Sequence, residues 1–206
     1  MPNSNQHLIT TPAQLASLFG DVAAPSLSKE VAYLHPHYQA MIAASPFAVL
    51  ATAGADGLDV SPRGDAAGFV LVQDQHTLLL PERKGNNRVD SLRNLLADPR
   101  MALLFLIPGV GETLRVNGRA AISVDPALLE RCAVDGKAPK CVLVISVETV
   151  YFQCVRAIYR SGLWQNTPPS ASLPSPGTIL EALSEAHIQA EVYDQGLRAR
   201  QQASLY

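Results

Sequence analysis

Charged residues are scarce in this chain, at 17% of 206 residues, and the formal net charge is only −2 at pH 7. The sequence has no block of lysine and arginine of the kind found in nucleic-acid-binding proteins. We therefore expect no nucleic acid as a partner. An anionic ligand would have to be bound by a local cluster of cations, because the chain as a whole has no positive field.

Cysteine is scarce too, with three residues at Cys132, Cys141 and Cys154 and no CxxC spacing. An odd number argues against a disulfide framework, and the spacing argues against a zinc site. We expect reduced thiols that pack as small apolar side chains. His35 and His37 flank a proline, but two histidines with no third ligand do not make a metal site, so no metal is expected.

Long apolar runs are absent as well. No stretch approaches the ~18 apolar residues that a membrane-spanning helix requires. The first 14 residues lack a basic region followed by an apolar run, which argues against a signal peptide. We therefore expect a cytoplasmic protein with no membrane partner. Hydrophobic residues make up 48% of the chain, enough for one domain with modest additions.

Helices are expected at both ends of the chain. Thr11 followed by Pro12 is typical of a helix start, with threonine as the N-cap and proline at the first helical position. A second helix is expected over residues 36–44. After a Pro/Ser-rich segment at 166–177, the sequence predicts one helix over 178–199. The apolar stripe of that last helix predicts packing across a dimer.

Between these helices, the sequence changes to the short alternating runs of strands. Strands are expected at 47–52, 58–61, 69–72, 77–80, 101–107, 113–124 and 142–154, with helices over 87–96 and from Asp125-Pro126. Successive hairpins favour an α+β fold with an antiparallel β-barrel that is closed or nearly closed, flanked by helices. We divide the chain into a helical segment (1–45), a barrel domain (46–165), and a linker with a C-terminal helix (166–206).

The stretch LLLPERKGNNRVDSLRNLL, which starts at position 78, carries most of the chemical information. A strand ends at Pro81, a polar loop follows with Arg83, Lys84 and Arg88, and a helix is expected from Asn87. Free N–H groups at a helix start, together with nearby cations, form a phosphate site. The same residues also fit a solvated basic loop with an asparagine N-cap. Spacing alone leaves both interpretations open.

Two further motifs are ambiguous or negative. Arg63, in SPRGD, could bring a charge close to a ligand at a strand end, and it fits an ion pair with Asp65 equally well. The stretch GVGET at 109–113 begins like a dinucleotide-binding motif, but Leu114 stands where the third glycine belongs and a strand follows. We expect a hairpin turn there.

Taken together, these motifs resemble the split-barrel superfamily of the pyridoxamine 5′-phosphate oxidases, which bind flavin mononucleotide (FMN). The similarity extends over about residues 45–165, in FAVLAT-GADG-LDVSPRGD, HTLLLPE, GNNRVDSLRNLLADPRMALLFLIPG and TLRVNGRA. The chain most resembles a bacterial branch known only as oxidase-like FMN-binding proteins. The resemblance implies a split barrel, FMN as cofactor, and a homodimer with FMN at the subunit interface.

The resemblance also implies a set of FMN-binding residues: Arg63, Leu80, Pro81, Lys84, Asn87, Arg88, Thr113 and Trp164. The arginine of SPRGD would contact the phosphate or ribityl chain, and the Leu-Pro pair would face the flavin with its backbone. The lysine, asparagine and arginine of the polar loop would hold the phosphate. Thr113 stands where the oxidases usually have a glutamine. Trp164 would approach the flavin of the partner subunit, or else serve as a core or interface aromatic.

The sequence also departs from the oxidases. No lysine follows Arg63 closely, and the C-terminal Arg-x-His signature for the substrate is missing. We therefore expect an FMN-dependent oxidoreductase whose small-molecule substrate or reductant differs from pyridoxamine phosphate, with hydride transfer at the flavin. The catalytic residues are unknown. The alternatives are a non-catalytic FMN carrier or redox sensor, and a split barrel with another cofactor, such as a deazaflavin or haem.

Overall fold

The computed structural model describes residues 7–55, 57–166 and 172–205, and these form one antiparallel sheet with helices around it. The strands are β1 (Phe47–Gly54), β2 (Gly57–Gly64), β3 (Leu71–Asp74), β4 (Thr77–Glu82), β5 (Arg100–Leu106), β6 (Thr113–Ser123) and β7 (Cys141–Gln153). Their order in the sheet is β2-β1-β5-β6-β7-β4-β3. The antiparallel α+β prediction is confirmed.

Helices occupy both ends of the chain and two of the connections between strands, β4–β5 and β6–β7. They are α1 (Pro12–Phe19), α2 (Ala24–Ser28), α3 (Pro36–Ala44), α4 (Asp90–Ala97), α5 (Pro126–Arg131), α6 (Arg156–Ser161), α7 (Pro176–Leu183), α8 (Ala190–Asp194) and α9 (Leu197–Gln202). The predicted starts of α1 and α5 are confirmed. The Thr11 side chain accepts a hydrogen bond from the backbone N–H of Gln14, and the Gln14 side chain accepts one from the backbone N–H of Thr11. At the start of α5, the Asp125 side chain accepts a hydrogen bond from the backbone N–H of Ala127 at 2.9 Å.

The sheet is split rather than closed. Its two edges are β2 and β3, and within the described residues no backbone pairing joins them. The fully closed form of the predicted barrel is therefore not present. The longest ladder, between β6 and β7, contains a bulge at Asn117/Gly118. A bulge bends and twists a strand, which helps an open sheet to curl around its core.

The core lies on the concave face of this sheet. Alternate residues of β1, β5, β6 and β7 point inward, and the largest fully buried side chains include Leu50, Leu103, Phe105 and Ile145. Helix α3 closes one side, because Ile42 is fully buried in the same cluster. The core thus includes part of the N-terminal helical segment, and the division of the chain into three segments stays a prediction.

Three helical predictions are wrong in detail. The helix expected from Asn87 begins at Asp90, because Asn87 and Val89 both have left-handed backbone, with φ of 59° and 52°. The asparagine N-cap interpretation is therefore also wrong. The single C-terminal helix is three short ones, α7, α8 and α9, since Glu185 and Ala186 have positive φ and Gly196 precedes α9 with left-handed backbone.

Smaller differences affect the strands and the connections. The strand expected at 69–72 is β3 at Leu71–Asp74, because the backbone N–H of Phe69 is still bonded to the Ala66 carbonyl in a turn. Helices α2 and α6 were not predicted. Two predicted features lie partly outside the described residues: the turn around Asp56 and the Pro/Ser segment, of which 167–171 are not described.

No helix in the described ranges is both long and apolar enough to cross a membrane. In the same ranges, no three His, Cys, Asp or Glu side chains gather as metal ligands. The histidine pair at the start of α3 has a local structural role, since His35 Nδ1 accepts a hydrogen bond from the backbone N–H of His37 at 3.2 Å.

Candidate functional site

A cleft of about 650 Å³ opens where the end of β2, the end of β4 and the start of α4 meet. Its volume lies within the range of small-molecule sites, roughly 300–1,000 Å³. The lining residues are Asp59, Ser61, Pro62, Arg63, Gly64, Phe69, Pro81, Glu82, Arg83, Lys84, Gly85, Asn86, Asn87, Arg88, Val89, Asp90, Ser91, Leu92, Lys140 and Cys141. The strands β2 and β4 are not paired, so the split in the sheet creates this opening.

The start of α4 contributes backbone N–H donors to the cleft. Its N-cap residue is Val89, which makes no side-chain capping bond, and Asp90, Ser91 and Leu92 follow along the cleft wall. The first N–H groups of a helix have no partner within the helix and attract anions. A β-branched residue in left-handed backbone costs about 1–3 kcal/mol, and such strain is commonly found at ligand sites.

The first turn of α4 also carries a carboxylate. Asp90 forms ion pairs with Arg88 and with Arg93. The hydrogen bond from Arg88 to Asp90 raises the pKa of Arg88 further above its ordinary value, so this guanidinium remains charged. Since Arg88 is mostly exposed beside the cleft, it can turn toward an anion at the helix start.

Two reciprocal ion pairs join the ends of β2 and β4 across the split. Arg63 Nε donates to Glu82 Oε1 at 2.8 Å, and Arg83 Nε donates to Asp65 Oδ2 at 2.9 Å. All four side chains are at most 17% exposed. The predicted alternative, an ion pair of Arg63 with Asp65, is therefore wrong. Arg63 at the end of β2 pairs with Glu82 of β4, and Arg83 after β4 pairs with Asp65 after β2. These pairs hold the two unpaired strands beside each other.

Lysines complete the cationic part of the cleft. Lys84 and Lys140 both line it, and within the described chain neither forms an ion pair. Lys140 Nζ donates to Asn87 Oδ1 at 2.9 Å, which connects the loop before β7 to the loop before α4. The side chain of Asn87 thus orients a cation at the cleft.

A carboxylate with two hydroxyl partners occupies another part of the cleft wall. Asp59 Oδ2 accepts hydrogen bonds from Ser91 Oγ at 2.7 Å and from Ser61 Oγ at 3.0 Å. The bond from Ser91 is the main reason that the pKa of Asp59 lies below its ordinary value; Ser61, Arg63 and Arg88 also lower it. Asp59 is therefore ionised at neutral pH and offers acceptors to a polar ligand.

Apolar surface faces the same space. Pro62, Pro81, Phe69 and Leu92 line the cleft, and Phe69 and Pro81 are otherwise buried. The single thiol in the lining is Cys141, whose pKa is raised by burial and by the neighbouring Glu82. The lining therefore combines donors for an anion, acceptors for hydroxyl groups and flat apolar surfaces for a ring.

Five of the eight residues expected at the flavin line this cleft: Arg63, Pro81, Lys84, Asn87 and Arg88. Leu80 has a fully buried side chain in the core, which leaves only its backbone for a ligand. Leu80 does not line the cleft, and its expected backbone contact with the flavin stays a prediction.

Thr113 and Trp164 lie elsewhere in the chain. Thr113 is the first residue of β6, and Trp164 Nε1 donates to the carbonyl of Val110 at 2.7 Å. Neither lines the cleft of its own chain. The flavin contact expected of Thr113, and the approach of Trp164 to the flavin of a partner subunit, stay predictions.

Sequence reasoning missed Asp59, Ser91 and Lys140. Lys140 reaches the cleft because β7 pairs with β4, with Cys141 opposite Glu82. Asp59 and Ser91 are 32 positions apart and meet only when α4 packs against β1 and β2. The alternation of polar residues in LDVSPRG was the one available signal, because it places Asp59, Ser61 and Arg63 on the same face of a strand.

An open antiparallel sheet of this order, with flanking helices and a cleft at the split, defines the chain as a split β-barrel protein. The family model for pyridoxamine 5′-phosphate oxidase matches residues 34–154, which is more than half of the chain. The chain therefore belongs to this family. No curated protein sequence matches it.

Several solved structures resemble the chain at low sequence identity. HupZ of Group A Streptococcus is 18% identical over 58% of this chain and 94% of its own, with a TM-score of 0.49. A protein of Clostridium acetobutylicum related to general stress protein 26 is 15% identical over 57% and 86%, with a TM-score of 0.45. A protein of Mesorhizobium loti, described as FAD-binding, is 18% identical over 64% and 92%, with a TM-score of 0.39.

Proposed function

We propose that the chain binds FMN in the cleft between β2, β4 and α4 and acts as an oxidoreductase on a small molecule. The observation that carries the proposal is the composition of that cleft. Two lysines that form no ion pair within the described chain, a helix start without a side-chain cap, Asp59 with its hydroxyl partners, and apolar walls all face it. The three parts of FMN require such surfaces: its phosphate requires cations and N–H donors, its ribityl chain requires hydrogen-bond acceptors, and its fused ring requires flat apolar walls. When bound, FMN supplies hydride chemistry at its ring, and the protein binds and orients it.

The phosphate is assigned to the loop before α4. Lys84 and Arg88 supply positive charge, Asn87 supplies an amide, and the first N–H groups of α4 supply oriented donors. Lysine acts as a point charge there, whereas arginine can bind two phosphate oxygens at once. Arg63 is assigned to the phosphate or the ribityl chain. Its Nε and Nη1 are bonded to Glu82 and to the Pro62 carbonyl, so within the described chain Nη2 is left for a ligand.

The rest of the cofactor is assigned to the strand ends. Pro62 and Pro81 offer flat apolar surfaces to a ring, and Leu80 and Pro81 offer backbone. Asp59 accepts hydrogen bonds, which suits the hydroxyl groups of a ribityl chain. None of these side chains is assigned to proton transfer, since the residues named here bind and position.

We further propose that the protein is a cytoplasmic homodimer with FMN at the subunit interface and a small-molecule substrate or reductant. The edge strand β2 leaves Leu58 and Val60 at 87% and 64% exposed, an apolar surface that a second copy would cover. In that dimer Trp164 would approach the flavin of the other subunit, and Thr113 would reach a flavin from β6.

An absorption spectrum of the purified protein, titrated with FMN and separately with riboflavin, tests the cofactor. We expect bound-flavin bands and much tighter binding of FMN, since riboflavin lacks the phosphate. Equal binding of the two would remove the phosphate site from the cleft. A protein that ignores flavins but shows a Soret band, or deazaflavin absorption, would replace FMN by another cofactor.

Substitution of the phosphate loop makes this test specific. Lys84→Ala with Arg88→Ala is expected to weaken FMN binding at least about 30-fold, because two charge-assisted contacts are lost. The matched control, Arg160→Ala with Arg198→Ala, removes the same charge from exposed positions outside the cleft and should leave the affinity unchanged. Equal affinities of the two double variants in a flavin-fluorescence titration would contradict the assignment.

A non-catalytic FMN carrier or redox sensor is the second candidate. Two observations favour it: no histidine is among the described cleft residues, and burial raises the pKa of the Cys141 thiol. Stopped-flow reduction of the FMN-loaded protein, followed by mixing with oxygen or another acceptor, separates the two functions. Repeated turnover indicates an enzyme, and a single slow reduction without turnover indicates a carrier or sensor.

A further inference from the structure

A second, smaller pocket of about 210 Å³ adjoins the cleft at the loop before α4, with which it shares lining residues. We call it the lysine pocket, and its lining residues are Arg83, Lys84, Asn87, Lys137, Ala138, Pro139 and Lys140. It shares four of these with the cleft, but Lys137 lines only the pocket and Arg88 lines only the cleft. The two spaces are therefore neighbours that share part of their walls, and each also has lining residues of its own.

The charge of the lysine pocket is one-sided. Three of the four lysines in the whole chain line it, and no described acidic residue does. Arg83 is engaged by Asp65 and by the Cys132 carbonyl. The lysines are different: within the described ranges Lys84, Lys137 and Lys140 form no ion pair. In a chain whose net charge is −2, this is a strong local concentration of positive charge.

Backbone structure holds these lysines together. Lys137 ends a two-residue turn in which Asp135 and Gly136 have φ of 50° and 74°, and its backbone is bonded in both directions to Val134. Such turns need positive φ at both central residues, which explains the Asp-Gly pair. The backbone N–H of Lys140 donates to the Glu82 carbonyl at 3.3 Å, and its ammonium donates to Asn87.

We propose that the lysine pocket is a second anion-binding site, which takes a phosphate-type group next to the flavin phosphate. Phosphate matches the chemistry, because two negative charges gain from several point-charge ammonium groups with no acid nearby. The inference of an anion site rests on the residues that line the lysine pocket, whereas its position beside a flavin phosphate rests on the proposed function. The group comes either from a flavin with a diphosphate or from a separate phosphorylated ligand.

Calorimetric titration of the full chain with inorganic phosphate and with pyrophosphate, at low ionic strength, tests the site without any flavin. Lys137→Ala is expected to weaken pyrophosphate binding about fivefold, as expected for one lost contact at an exposed lysine. Arg198→Ala is the matched control, because it removes one charge from an exposed residue of α9. Lys137→Arg should restore most of the affinity, and circular dichroism checks the fold of each variant.

Flavin-loaded protein distinguishes the two sources of the group. If the wild type prefers FAD to FMN and Lys137→Ala abolishes that preference, the site takes the second phosphate of a diphosphate flavin. If FMN-loaded protein still binds phosphate and Lys137→Ala weakens it, the site takes a separate ligand. Lys137→Ala and Arg198→Ala with equal affinities for phosphate, pyrophosphate and FAD would overturn the proposal, whether or not FMN binds.

Discussion

The sheet with α3 and the two ends of the chain differ sharply in what they bury. Within the sheet, residues such as Leu50, Leu103 and Phe105 have no exposed surface. By contrast, every residue from 7 to 28 is exposed, and Gly177 is the one buried residue in the described range 172–205. The family model matches only the first region, residues 34–154.

This difference indicates where the free energy of folding comes from. Burial of apolar surface is the dominant favourable contribution to folding, so the sheet and α3 must supply most of it. The two ends nevertheless expose large apolar side chains, such as Phe19 at 78% and Leu183 at 80%. Where such side chains form a contiguous patch, they mark a contact with another molecule.

The largest effect is expected from a matched pair of leucines. Leu103→Ala in the core should lower the free energy of unfolding by about 2–5 kcal/mol, because it leaves a cavity. Leu183 is also a leucine but is 80% exposed, so Leu183→Ala should change the free energy of unfolding by less than about 0.5 kcal/mol. Urea denaturation measures both. Similar losses for the two variants would break the comparison.

A smaller loss is expected at the bulge in β6. A Cβ added at Gly118 would lie 2.2 Å from the backbone oxygen of Ser146, so the paired strand would have to move. Gly118→Ala should therefore destabilise the fold by about 1–3 kcal/mol. Gly85→Ala is the control, since nothing lies within 4 Å of its Cβ position. Thermal unfolding compares the Tm of the two variants with that of the wild type. An unchanged Tm for Gly118→Ala would contradict the prediction.

Removal of residues 167–206 tests what the C-terminal helices cover. We expect the truncated chain to stay folded, because its core is intact, but to lose dimer mass and a few degrees of Tm. Exposed apolar side chains in this segment include Leu173, Ile179, Leu183 and Val192. Light scattering measures the mass. A truncated chain that is still dimeric with an unchanged Tm would mean that these helices do not pack across the dimer.

The smallest effect concerns the carboxylate in the cleft. Because hydrogen bonds lower the pKa of Asp59 in the folded state, its stabilising contribution is present above the ordinary value of 3.8 and is lost as pH falls toward the lowered pKa. Ser91→Ala removes the largest cause, so the pKa of Asp59 should rise toward 3.8. NMR titration of the Asp59 carboxyl carbon measures this, with Ser17→Ala on exposed α1 as the control. An unchanged titration would show that Ser91 is not the main cause.

Much of the local structure could be predicted from the sequence. Thr-Pro and Asp-Pro pairs fix the starts of α1 and α5, because proline is preorganised for the first helical turn. The hairpin β1–β2 follows from alternation around a glycine turn. The loop before α4 could be recognised as cationic, and most of its predicted ligands do meet in one cleft. The start of α4 could not be predicted, since left-handed backbone at Val89 is against the preference of a β-branched residue.

Short-range signals in the sequence by themselves determined most of the strands, the N-caps of α1 and α5 and the charge of the loop before α4, because these depend on neighbours within a few positions. Only the tertiary structure decided that Arg63 pairs with Glu82 and Arg83 with Asp65. Tertiary structure also brought Lys84, Lys137 and Lys140 into one pocket. The physical reason is that these contacts depend on the register of β4 with β7 and on the split beside β2. The register of β4 with β7 and the position of the split are set by the packing of the whole sheet, so they cannot be predicted from a local sequence pattern.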